Sequence, residues 1–185
     1  MKLDGVLMLI GLMAATSFGG EKQIALYTVG NVDASMQARV VKWVGEQLMT
    51  VTNTGALASS ATLTLAAVQD LGKARLVTNT VAVLILADGL SGMEGRHALA
   101  QGNVVVVSVG ALRSADAETW SRRVEKESVG GLAFVLGMEP CLLPICVLCP
   151  TPMIEDLDLK GRGLCPPCMG RWVAKGVEKG IRDPE

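Results

Sequence analysis

Five cysteines lie between Cys141 and Cys168 of this 185-residue chain, none lies elsewhere, and the only histidine is His97. Those counts bound the chemistry within reach. A secreted disulfide scaffold spreads an even number of cysteines along its length, whereas an odd, clustered set with C-x-x-C pairs reads as a metal site kept reduced. Cys146-x-x-Cys149 and Cys165-x-x-Cys168, fifteen residues apart, have zinc-ribbon spacing in their own right. The competing reading makes some of these residues buried thiols or disulfides. One imidazole is a poor basis for metal catalysis, and His97, in "MEGRHALAQG", reads as a surface or satisfied polar residue. A Ser-His-Asp triad has no nucleophile elbow to support it.

The elements that must position these residues follow from composition and periodicity. Half the residues are apolar, 19% are charged and 3% are aromatic, which describes a globular chain with a Val, Leu, Ala and Met core. At this length one domain buries roughly 70% of the surface its unfolded chain exposes. The net charge of −1, from 17 basic and 18 acidic residues, leaves no basic stripe with interleaved aromatics, so no nucleic-acid footprint is clear. Residues 1–20, "MKLDGVLMLIGLMAATSFGG", resemble a short secretory signal or an N-terminal extension. Their apolar run falls short of the about 20 residues that span a bilayer. Clustered thiols favour a reducing, cytoplasmic compartment, and a cleaved signal would favour secretion.

"QIALYTV" predicts a strand, and "ASMQARVVKWVGEQLM" a helix with Asp33 as N-cap. "TVTNTG" predicts a further strand, and "SSATLTLAAVQDLGKAR" a helix opening near Ser59 or Ser60. "TVAVLILA" and "NVVVVSVG" are near-continuous apolar runs, as expected of strands covered on both faces. The Gly-rich stretch between them fits an irregular edge strand near Gly92 to Ala100. A helix capped by Ser114 follows, ending at Gly137. The expectation is an α/β fold with a mixed, mostly parallel sheet over residues 21–140 and a small cysteine-rich, zinc-stapled subdomain over 141–185.

That last helix carries "VEKESVGGLAFVLGMEPC". A zinc-peptidase helix places two histidines four residues apart, a glutamate beside the first, and a glycine turn before a third ligand. Aligned on Gly137 and Cys141, the ligand positions fall on Gly130, Phe134 and Pro140, and the base position on Gly131. None of these side chains binds zinc or takes up a proton. Glu125 and Glu127 precede the ligand positions, and neither is expected to share a face with Phe134. Two mid-helix glycines cost about 1 kcal/mol each relative to alanine. They read as replacements tolerated once ligands were lost, or as room for close packing or a bound chain.

Gly137, Cys141, Cys146, Cys165 and Cys168, together with "RVEKE", "VVVVSVGALR" and "IALYTVGNVD", resemble the archaemetzincins, compact zinc peptidases of the metzincin type. The resemblance covers roughly residues 23 to 172 and is most specific in the cysteine series. Two departures stand out: the gap from Cys146 to Cys165 is one residue short, and Leu148 replaces the methionine of the Met-turn. The resemblance implies a zincin-like fold and one structural zinc held by Cys141, Cys146, Cys165 and Cys168, in place of the ribbon set that uses Cys149. It implies no catalytic residue here.

Three functions are therefore expected to compete. The first is an inactive metallopeptidase homologue that keeps its structural zinc and binds an extended peptide along the edge strand. The second is a zinc-ribbon interaction module that meets nucleic acid or protein through Lys160, Arg162, Arg171, Lys175, Lys179 and Arg182. The third is an active zinc protease whose missing ligands come from elsewhere.

Overall fold

The two apolar runs do form fully covered strands, and the reason is visible in what lies on each face. The computed structural model describes residues 21–58, 64–93 and 96–178. Strands β1 (Gln23–Val29), β2 (Val51–Ala58), β3 (Thr80–Ala87), β4 (Ala98–Gln101) and β5 (Val104–Ser108) form one sheet in the order β2-β1-β3-β5-β4. The pairs β1–β2, β1–β3 and β3–β5 are parallel, and β4 closes one edge antiparallel to β5. The fold is mixed α/β with a mostly parallel sheet.

Strand periodicity divides the core in two. Ile24, Leu26, Ala82, Leu84, Leu86, Val105 and Val107 point to the face covered by helices α1 (Ala34–Gln47) and α3 (Ala117–Val135). Ala25, Val29, Val83, Ile85, Ala87, Val104 and Val106 point to the other face, with Val68 of α2 (Leu65–Lys73). Because both faces are covered, β3 and β5 carry no polar alternation. The first core continues past the sheet to Cys141, Cys146, Val147, Leu148, Leu157, Cys165, Cys168 and Trp172, so the cysteine region packs directly on α1 and α3.

The caps are partly where the sequence puts them. Asp33 accepts from the backbone N–H of Ser35 and Met36 at the start of α1. Thr64 caps α2 through Ala67 N–H, in place of Ser59 or Ser60, which lie outside the described residues. Asp116 caps α3, accepting from Thr119 N at 2.6 Å, while Ser114 two residues earlier accepts from Asp116 N. A carboxylate accepts better than a hydroxyl and also favours the helix N-terminus electrostatically. Gly137 ends the helix with φ 94°, a value natural to glycine. Two further helices are absent from the periodicity reading: α4 (Ile154–Leu159) and α5 (Pro166–Glu178). Among the described residues no helix is long and apolar enough to cross a membrane.

Candidate metal centre and the groove beside it

Four cysteines meet where three segments converge. Cys141 follows the glycine turn after α3, Cys146 closes the next loop, Cys165 immediately precedes α5, and Cys168 lies in its first turn. Cys141 N donates to Leu148 O at 3.1 Å, Val147 N to Gly163 O at 2.9 Å, and Met169 N to Cys165 O at 2.8 Å. These bonds fix the loops that carry the sulfurs. The loop before Cys165 is held by α1: Gln47 Oε1 accepts from Leu164 N, and Trp43 Nε1 donates to Arg162 O. Trp172, on α5, is fully buried and donates to Leu48 O at the end of α1.

The ligand atoms of Cys141, Cys146, Cys165 and Cys168 all lie within 4.8 Å of one another, and all four residues are buried. Among the described residues this is the one cluster of three or more metal-ligating groups. All five cysteines are free thiols. Cys141 Sγ and Cys165 Sγ are 3.8 Å apart, far beyond a disulfide bond of about 2.05 Å. A tetrahedral ion with metal–sulfur bonds near 2.3 Å would set its ligand sulfurs about 3.8 Å from each other. The set therefore fits one metal ion, and four soft thiolates suit zinc. Cys149 is half-buried and stands apart, with Pro150 O as its contact.

The protonation balance points the same way. Burial pushes the Cys168 thiol up to about 12 and raises Cys146 as well. At Cys165 burial opposes ionisation, yet the Cys168 backbone N–H and the neighbouring thiols outweigh it and lower the value. Four thiolates cannot crowd together without a cation between them. A divalent ion supplies that charge, which is why metal binding and folding are linked in such sites.

A groove of about 220 Å³ opens beside this corner, lined by Ala98 and Ala100 of β4, Glu127, Gly130, Gly131 and Phe134 of α3, and Lys160 from the cysteine region. Glu127 shares the groove with Phe134, contrary to the expectation from sequence. Positions 127, 130, 131 and 134 are spaced i, i+3, i+4 and i+7, so they form one helical stripe. Glu125 lies on another side of α3. It is 2% exposed and holds Arg39 Nε at 3.1 Å and Arg162 Nη2 at 2.6 Å. Arg162 also stacks on Trp43 with its guanidinium carbon 4.1 Å from the ring centre.

The two glycines have different reasons. A Cβ on Gly131 would stand 2.6 Å from Val105 Cγ1, a fully buried β-branched side chain of β5. Gly131 is thus a close-packing residue that lets α3 lie against the sheet. A Cβ on Gly130 would meet only Val147 O, at 3.5 Å, which is ordinary contact. Phe134 is 38% exposed and Pro140 is exposed, while Leu148, at the Met-turn position, is fully buried. His97 is half-buried ahead of β4, where its carbonyl accepts from Ser108 N. It belongs to no metal-ligating cluster among the described residues.

Three basic residues of the C-terminal region, Lys160, Arg162 and Arg171, have partners within the protein. Lys160 is 8% exposed and reaches Glu127 at 3.5 Å and Thr151 Oγ1 at 3.3 Å within the groove. Arg162 belongs to the Glu125 cluster and Arg171 donates to Cys168 Sγ. Lys179 and Arg182 lie outside the described residues. Lys126, which no sequence motif singles out, is buried and donates to Leu157 O and Asp158 O, carbonyls at the end of α4. Burial lowers its pKa.

No protein-family model matches the sequence, and no curated protein matches it. Solved structures do. Archaemetzincin from Methanopyrus kandleri shares 21% identity at a TM-score of 0.71, covering 85% of this chain and 96% of that one. Archaemetzincin from Archaeoglobus fulgidus, complexed with malonate, shares 20% identity at a TM-score of 0.61, covering 80% and 99%. A zinc-dependent peptidase from Methanocorpusculum labreanum shares 17% identity at a TM-score of 0.66, again covering 80% and 99%. This chain has an archaemetzincin-like fold.

Proposed function

We propose that this protein is a zinc-binding member of the archaemetzincin-like fold that has kept a structural metal centre and given up peptide hydrolysis. Cys141, Cys146, Cys165 and Cys168 hold the ion. A site with four protein thiolates is closed, leaves no position for a reactive water, and contributes its binding energy to folding. The observation that carries the reading is the make-up of the groove stripe. Zinc-assisted hydrolysis needs ligands for a second ion and a base beside it. The stripe offers Glu127, Gly130, Gly131 and Phe134, with Glu127 facing the Lys160 ammonium.

The groove itself remains, bordered by the outer edge of β4. An edge strand has unpaired backbone groups, and an extended peptide adding to it is the occupant this geometry suits best. The test has two arms. Elemental analysis of the purified full chain should return one zinc per chain, and two tightly held ions would overturn the loss of the second site. Hydrogen exchange in the presence of a mixed extended-peptide library should slow at the Ala98–Gln101 amides without cleavage products. Chelator-sensitive cleavage would restore the protease reading, and no change at those amides would remove peptide binding. The interaction-module alternative predicts salt-dependent affinity for DNA or RNA, measurable at low ionic strength.

A further inference from the structure

The four sulfurs do not have equivalent surroundings. Cys146 Sγ accepts from the backbone N–H groups of Cys165, at 3.5 Å, and Leu148. Cys165 Sγ accepts from the Cys168 backbone N–H. Cys168 instead takes a side chain: Arg171 Nη2 donates to its sulfur at 2.9 Å. Arg171 sits three residues further along α5, so the helix itself sets that distance. Arg171 also lines an open cavity of about 300 Å³ with Gly137, Met138, Glu139, Ala174 and Lys175.

Four thiolates around one divalent ion carry two net negative charges. Cys168 is completely buried, and a thiolate without compensating donors there is both costly and nucleophilic. Backbone N–H groups supply dipoles to Cys146 and Cys165, whereas Arg171 supplies a full charge to Cys168 from the solvent side. Its planar fork can hold the sulfur with one N–H and leave others for the cavity, which a lysine's compact ammonium does not reproduce. We propose that Arg171 is the charge partner of the metal centre, a positioning residue that keeps Cys168 on the ion and shields it from protons, oxidants and competing chelators. The proposal rests on the metal-centre reading above.

Cobalt substitution of the full chain tests it, because thiolate-to-cobalt charge-transfer bands report the electron density on sulfur. Arg171→Ala should move those bands to lower energy and make cobalt and zinc pass to a chelator roughly 10- to 100-fold more readily. Arg171→Lys should recover part of the loss, and Lys175→Ala, in the same cavity without a sulfur contact, should match the wild type. A wild-type spectrum and affinity in Arg171→Ala would overturn the role of Arg171 while leaving the centre standing. So would a lowered melting temperature with unmoved bands, the mark of a merely structural residue. A wild-type chain that binds neither metal would take down the centre and this inference together.

Discussion

Helix α3 serves two neighbouring regions of different make-up: the four-thiol corner beyond its C-terminus and the groove along its exposed stripe. In the corner every ligand position is occupied by cysteine, and the surrounding contacts from Trp43, Gln47 and Trp172 converge on it. In the groove the template positions hold Gly130, Gly131 and Phe134, yet the walls persist. The difference follows from what each region does for the fold. On the proposed reading, zinc in the corner ties the loops that carry Cys141 and Cys146 to the start of α5, and its binding energy is folding energy. A second ion in the open groove would contribute little to packing, because α3 already rests on the sheet where Gly131 meets Val105.

The largest effect that would sharpen this contrast is removal of metal from the corner. Cys141→Ser should abolish zinc retention and loosen residues 141–178, since thiolate-bound zinc contributes on the order of 10 kcal/mol of folding free energy in small sites. Cys149→Ser should leave zinc content unchanged. The opposite pattern in elemental analysis would select the ribbon set with Cys149 in place of Cys141.

Next comes the groove. Gly131→Glu should lower stability by about 3 kcal/mol in denaturant melts, because the new side chain meets Val105 inside a packed layer. Gly130→Ala should gain up to about 1 kcal/mol from helix propensity, as its Cβ has room. Placing a glutamate at position 131 therefore also requires trimming Val105, and Gly131→Glu with Val105→Ala should recover part of the lost stability. Equal effects of the two glycine substitutions would remove the packing explanation.

A smaller difference separates two glutamates of the same helix. Glu125→Ala should cost about 2 kcal/mol, since it strips two arginines of a buried partner. Glu127→Ala should cost less than Glu125→Ala, since it removes one 3.5 Å ion pair and leaves Lys160 its contact with Thr151 Oγ1. Urea midpoints measured side by side decide between them.

The smallest expected effect is a pH dependence outside both regions. Arg39 and Arg122 hold the Glu118 carboxyl down to about 2, below its ordinary 4.5. A depressed folded-state value means the stabilisation is fully present above the unfolded pKa and is lost as pH falls from about 4.5 through about 2. Glu118→Gln should flatten the stability profile in that window alone, and salt should weaken the effect. An unchanged acid limb in the variant would show that Glu118 contributes nothing there.

Residue pattern alone made much of this molecule legible. Unbroken apolar runs at β3 and β5 suit strands covered on both faces, and Asp33 could be read as a cap from its place before a periodic run. The cysteine spacing offered the ribbon set and the family resemblance implied the set with Cys141, with three of the four sulfurs common to both. Helices α4 and α5 escaped because Pro, Gly and Cys hide a stripe at Cys165, Cys168, Met169 and Trp172 that faces the core. Register across space was beyond the sequence. Gly131 is glycine because Val105, 26 residues earlier, lies under it, and a helical period says nothing about what a helix rests on. Glu125, Arg39 and Arg162 look like ordinary surface charges until folding brings them together from three separate segments. The sequence by itself determined which elements form and which atoms are available to a metal. Only the tertiary structure decided which side chains meet, because contact depends on how close two elements pack, and that distance is set by both partners at once.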